Sequence, residues 1–115
     1  MLFSHELMKT VAVSNCHEGT GKLTCIEMLA EYSKKEPGCK FVHQNVLEPG
    51  ASIGEHTHTH DEELYIILEG EGIMMIDGVA TKVRAGDLCY TRAGHSHSLI
   101  AGAGPVHFLV IGINL

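Results

Sequence analysis

No run of apolar residues in this chain approaches the roughly 20 that a membrane-crossing helix requires, so a helical span is excluded. The opening residues, MLFSHELMKT, carry neither the basic start nor the continuous apolar stretch of an export signal, and the expected location is the cytoplasm. Positive charge is scarce as well: eight Lys and Arg against 14 Asp and Glu give a formal net charge of −6. The basic residues are scattered, and the one local pair, Lys34-Lys35, is followed at once by Glu36. Binding to phosphates needs a basic face that releases counterions, so nucleic acid is not an expected partner. Four cysteines, Cys16, Cys25, Cys39 and Cys89, include no C-x-x-C pair, which argues against a zinc ribbon and against a thioredoxin-like site. They read as reduced, mostly buried thiols. The fragment Gly19-Thr20-Gly21-Lys22 is not a phosphate-binding loop, because Cys16 stands where the first glycine belongs and Leu23 where a Ser or Thr must hold a metal. There is no internal repeat, low-complexity tract or linker, and 115 residues suit one domain spanning residues 1–115.

What the chain does have is a regular alternation of short apolar runs and turn signals from Lys40 onward. Lys40 to Leu47 ends at Pro49-Gly50, Leu64 to Glu69 ends at Gly70, and Gly72 to Ile76 ends at Asp77-Gly78. An Asp-Gly between two apolar runs predicts a hairpin with a type I′ turn, whose central residues both need positive φ. Val79 to Arg84, Asp87 to Thr91 and Val106 to Ile113 complete the series. Many short strands at this spacing predict an all-β antiparallel sandwich or barrel over residues 40–115. Residues 1–39 are expected to form N-terminal strands or an arm. Lys22 to Tyr32 fits both a helical and an alternating pattern, with strand preferred for its first half. Ser33 to Glu36, ahead of Pro37-Gly38, predicts an exposed turn.

Nine histidines are a surplus in a chain this short, and they cluster. His56 and His58 are two apart and share a face if the segment is a strand. Thr59 to Glu62 suits a four-residue hairpin loop, which would make His58 and Glu63 cross-strand neighbours. A later segment, Gly86 to His97, adds His97 after a glycine turn. Imidazoles with a carboxylate on one face are ligands suited to a divalent transition metal. His58 and His60 also satisfy H-x-H, but His60 falls at the loop tip. His95 is expected at the mouth of the barrel. His5, His17, His43 and His107 read as structural or exposed. Tyr65, two residues past Glu63, should face the interior, where it would either orient a substrate or serve as core. Met74 and Met75 read as packing residues.

These two segments resemble the signature motifs of the cupins. Gly50, His56, His58, Glu63 and Gly70 meet the first motif, G-x5-H-x-H-x4-E-x6-G, and Gly86, Gly94 and His97 meet the second, G-x5-P-x-G-x2-H-x3-N. Two positions depart, with Arg92 in place of the proline and Ala101 in place of the asparagine, and neither is a ligand in the family. The short gap between motifs, Glu71 to Ala85, is similar to that of compact single-domain bacterial members. The resemblance implies a double-stranded β-helix (jelly roll) with one divalent metal (Mn, Fe, Ni, Co, Cu or Zn) held by His56, His58, Glu63 and His97. It implies either a metalloenzyme acting on a small oxygen-rich molecule, as an oxygenase, isomerase or decarboxylase, or a non-catalytic binding or sensing module. No separate general base is evident, and Tyr65 is the one weak catalytic candidate. A small barrel leaves open sheet edges, which predicts a homodimer.

Overall fold

A computed structural model describes residues 1–29, 32 and 37–115. Ten strands account for most of them: β1 (Lys9–Ser14), β2 (Lys22–Glu27), β3 (Gly38–Leu47), β4 (Ser52–Thr57), β5 (Asp61–Glu69), β6 (Glu71–Ile76), β7 (Val79–Arg84), β8 (Leu88–Thr91), β9 (Ser96–Ala101) and β10 (Val106–Asn114). Two single-turn 3-10 helices, His5–Leu7 and Cys16–Glu18, flank β1. The strands form a six-stranded sheet, in the order β1-β2-β3-β10-β5-β8, and a four-stranded sheet, β4-β9-β6-β7. Every pairing is antiparallel. This is the jelly-roll arrangement, and the strands expected between Lys40 and Ile113 are all present. The first half of the ambiguous Lys22 to Tyr32 stretch is strand β2. The turn expected at Ser33 to Glu36 lies outside the described residues.

The core fills the space between the sheets. Along β10 buried and part-buried residues alternate, with Val106, Phe108 and Val110 pointing inward. They meet Ile67 of β5, Leu47 of β3, and Ile53, Met74 and Leu99 from the opposite sheet in one contiguous cluster. The period of two along each strand allows this, because every second side chain lands on the same face. At the β6–β7 corner Asp77 and Gly78 both have positive φ (50° and 79°), as the Asp-Gly signal requires.

One sequence expectation is overturned. His58 and Glu63 do not flank a hairpin. The ladder bonds of β4 go to β9, while those of β5 go to β10 and β8. His58, Thr59 and His60 therefore carry the chain from one sheet to the other, and β5 already starts at Asp61. Alternation along a strand predicts the face of a side chain, but it cannot say which strand will pair with it.

A second feature positions the site. The loop between β1 and β2 turns back through three non-glycine residues with positive φ, Asn15, His17 and Glu18. It lies directly on β4: a Cβ at Gly54 would come within 2.0 Å of the His17 carbonyl oxygen, and one at Gly19 within 2.2 Å of that of Ser52. Only glycine permits that approach.

Two outcomes follow from this packing. Phe108 is completely buried, so Phe108→Ala is expected to cost about 3–5 kcal/mol in denaturant unfolding, whereas Leu115→Ala, at a 64% exposed position, should stay within about 0.5 kcal/mol. Gly54→Ala should cost about 1–3 kcal/mol through overpacking and should displace the Cys16–Glu18 turn, detectable as amide shifts at His17. Equal stability of all three variants would contradict the packing described.

Candidate metal centre

Both sheets contribute to one buried cluster at an end of the core. His56 on β4 and His97 on β9 are direct partners in the register of the four-stranded sheet. Glu63 projects inward from β5 in the other sheet, and His58, one residue past β4, closes the group. Ligating atoms of the four side chains all lie within 4.8 Å of one another. Nε2 of His97 is 3.0 Å from Nε2 of His56 and 3.1 Å from that of His58. Oε1 of Glu63 stands 3.0 Å from His58 Nε2 and 3.1 Å from His97 Nε2. His58, Glu63 and His97 are buried, and His56 is half-buried.

The outward nitrogens explain why the inward ones point as they do. His56 Nδ1 donates to the Gly54 carbonyl oxygen at 2.8 Å, and His58 Nδ1 donates to Asp61 Oδ1 at 2.8 Å. Both partners can only accept, so each ring places an N–H at Nδ1 and turns its Nε2 inward. His97 Nδ1 is held by the buried Thr91 hydroxyl at 2.7 Å. Lys40 in turn fixes Asp61 through a 2.9 Å ion pair. Such outer partners are the usual means of orienting metal-ligating imidazoles.

The result is a group of imidazole nitrogens and a carboxylate oxygen converging on one point. Glu63 Oε1 is buried with the Nε2 atoms of His58 and His97 at 3.0 and 3.1 Å, yet it makes no well-formed hydrogen bond to either. An unsatisfied buried carboxylate oxygen costs several kcal/mol by order of magnitude. A cation at the centre of the cluster satisfies all four groups at once, so the donor set fits a divalent metal.

Electrostatics agree. Burial pushes the Glu63 carboxyl up, but His97, His58 and His56 outweigh it and hold it below its usual range. Burial lowers His56 to about 4, with the Gly54 hydrogen bond opposing and His17 and His97 adding to the fall. The ring is therefore neutral and able to ligate at pH 7. For Asp61, burial is again opposed, by the hydrogen bonds from Lys40 and His58, and the net direction is downward.

The remaining candidates sort differently. His60 is exposed and outside the cluster, as its loop position suggests. His95 does not line the mouth: β9 begins only at Ser96, and His95 turns outward to pair with Asp77 at the β6–β7 corner. Tyr65 is buried, with its ring tilted on His97 at 4.9 Å and stacked on Phe108 at 5.1 Å. Burial, then Glu63, raises its hydroxyl well above the ordinary value, so it stays protonated. Neighbouring Glu62 is also buried, but it accepts from Tyr90 and Arg92 and points away from the cluster.

Sequence reasoning missed two residues here. His17 stacks face to face on His56, with ring centroids 3.7 Å apart and planes within 12°. His43 lines the same cavity, its imidazole lowered by burial against the pull of Glu27 and Glu63. Neither lies in a motif, and the glycines at 19 and 54, which seat the His17 loop, were the available signal. The cavity beside the cluster has a volume of about 390 Å³, with His56, His58 and Glu63 in its wall. A larger one, about 480 Å³, opens between β6, β7 and β8 and contains none of the four residues of the cluster.

A pH dependence follows for the metal-free protein. In the unfolded chain His56 takes up a proton near 6.5, in the folded chain only near 4. The unfolded state binds more protons in between, so stability is retained above about pH 6.5 and lost as pH falls toward 4. Melting temperature against pH should fall over that window and fall less in His56→Gln; a flat wild-type profile would contradict a buried neutral ring.

Residues 45–112 match the Cupin_2 family, described as a cupin domain. A Thermotoga maritima protein named oxalate-binding protein is 34% identical over 104 residues, covering 90% of this chain and 85% of that one. The crystal structure of a predicted oxalate decarboxylase from Thermotoga maritima superimposes with a TM-score of 0.87 at 30% identity, over 100% of both chains. KdgF from a Halomonas species has the same fold, with a TM-score of 0.78 at 11% identity over 100% of this chain and 94% of its own. With the match spanning both signature segments, and those segments folded around one cluster of imidazoles and a carboxylate, the chain belongs to the cupin family.

Proposed function

We propose that the protein binds one divalent transition metal (Mn, Fe, Ni, Co, Cu or Zn) through His56, His58, Glu63 and His97, and acts on a small oxygen-rich molecule in the adjoining cavity. The observation that carries this reading is Glu63 Oε1, buried without a donor opposite the converging imidazole nitrogens. When bound, such an ion would supply Lewis-acid polarisation of a substrate oxygen. The chain's own contribution is orientation and dryness. Gly54, Asp61 and Thr91 hold the three rings, His17 covers one face of His56, and Tyr65 and Phe108 wall off the core behind His97. Relatives named for oxalate binding and predicted oxalate decarboxylation favour a metal-chelating acid as the ligand.

The second reading is a binding module without catalysis. It is favoured by the binding role in one relative's name. Under either reading the protein works in the cytoplasm without nucleic acid. We also propose a homodimer. Strands β1 and β8 leave the edges of the six-stranded sheet open, and its outer face is apolar, with Leu64 and Ile66 of β5 beside Ile111 and Leu109 of β10. A second copy covers such a surface.

Metal analysis of protein purified without a tag should give about one equivalent per chain. His58→Ala and His97→Ala should lose it while remaining folded by circular dichroism; His60→Ala should keep it. Retention in both of the first two variants sinks the assignment. A small dicarboxylate should perturb water relaxation of the Mn-loaded protein if an open position exists; no effect would leave the binding module as the reading. Light scattering should report twice the 12.5 kDa chain mass, and a monomer at micromolar concentration would defeat the dimer.

A further inference from the structure

The cavity beside the cluster is built for something larger and less charged than oxalate. Its volume, about 390 Å³, lies within the ~300–1,000 Å³ of ordinary small-molecule sites, and a ligand as small as oxalate leaves most of it to water. Much of the wall is apolar: Val11 and Val13 from β1, Leu23 from β2 and Val110 from β10. Among the described residues lining it, the cationic side chain is Lys40, and its Nζ is already bound to Asp61. Glu27 adds a negative charge to the same wall. A second carboxylate on a ligand would therefore meet no free cation there, and its desolvation would go uncompensated.

One polar group in that wall has no structural employment. Asn45 projects inward from β3, where it is 4% exposed, and its Oδ1 is buried with no hydrogen-bond partner. Buried amides are nearly always paired, and an unpaired one costs stability. Leu47 on the same face of β3 and Leu23 on the neighbouring β2 are both apolar and buried. The amide thus makes sense as a group waiting for a partner that arrives with the ligand.

We infer that the cavity takes a monocarboxylate with an adjacent hydroxyl or keto oxygen, joined to an uncharged and partly apolar body whose own hydroxyl donates to Asn45. The acid end addresses the metal cluster, the body lies along Val11, Val13 and Val110, and Asn45 discriminates at the far end. This rests on the metal-binding reading given above, since the cluster anchors the acid.

The test uses the full chain loaded with zinc and four probes: oxalate, mandelate, and the meta- and para-hydroxy forms of mandelate. Affinities come from calorimetry, and the side-chain amide of Asn45 is followed by 15N NMR. At least one hydroxymandelate should bind about tenfold tighter than mandelate, the scale of one satisfied hydrogen bond, and should move the Asn45 amide resonances. Asn45→Leu should abolish that preference, leave zinc content and oxalate binding unchanged, and raise the melting temperature of the ligand-free protein. If Asn45→Leu does not fold, Asn45→Ser is read for the same loss of preference. The inference is overturned if oxalate binds but no hydroxymandelate exceeds mandelate, or if the preference survives removal of the amide. A chain that takes up no zinc overturns the metal reading and this inference with it, whereas a zinc-loaded chain that binds none of the four probes overturns the small-acid ligand and this inference but leaves the metal reading standing.

Discussion

Three imidazoles and a carboxylate converge in a buried space, and the architecture around them is arranged to keep them there. Left alone, Nε2 of His56 and His58 and Oε1 of Glu63 would repel one another or turn outward to water. They cannot turn, because the opposite edge of each ring is already bonded, to Gly54, Asp61 and Thr91. The stability lost at this point is supplied elsewhere, by a core in which Phe108, Leu99 and Val106 have no solvent exposure at all. A cluster of this kind is stable only when something positive occupies its centre or when the scaffold is rigid enough to hold it empty.

The scaffold achieves that rigidity by drawing the side chains of the cluster from both sheets. His56 and His97 are fixed relative to each other by ladder bonds within the four-stranded sheet. Glu63 is fixed by its neighbours on both sides, Gly112 of β10 and Thr91 of β8. Thr91 thereby has two roles, since its backbone pairs with Glu63 while its hydroxyl holds His97. The site consequently reports on the packing of the two sheets, and a change in their separation would open it. The β1–β2 loop adds a further constraint by pressing His17 onto His56, an approach that the missing side chain of Gly54 permits.

The cavity shows a similar tension between stability and use. Asn45 and Glu63 are the two residues with buried polar atoms left unpartnered among the described residues, and both border the same space. Core positions are normally freed of such groups, so their coincidence in one cavity sets that cavity apart from the rest of the core.

Much of this was legible along the chain. The period of two from Lys40 onward, the Asp77-Gly78 turn and the glycine-bounded spacing of His56, His58, Glu63 and His97 follow from local chemistry: alternation, positive φ and ligand type. The sequence also separated Glu63 and His97 from His60 by position alone. What it could not determine was pairing. Whether β4 bonds to β5 or to β9 depends on contacts between residues far apart in the chain, as in the 41-residue separation of His97 and His56, and a local pattern carries no record of them. For the same reason the sequence expectation set His58 and Glu63 across a hairpin, sent His95 to the mouth, and left His17, His43 and Asn45 without a role. Residue types and their periodicity depend on the nearest few bonds of the chain, so the sequence determines them; which atoms meet across the core depends on the packing of whole sheets, and only the tertiary structure decides it.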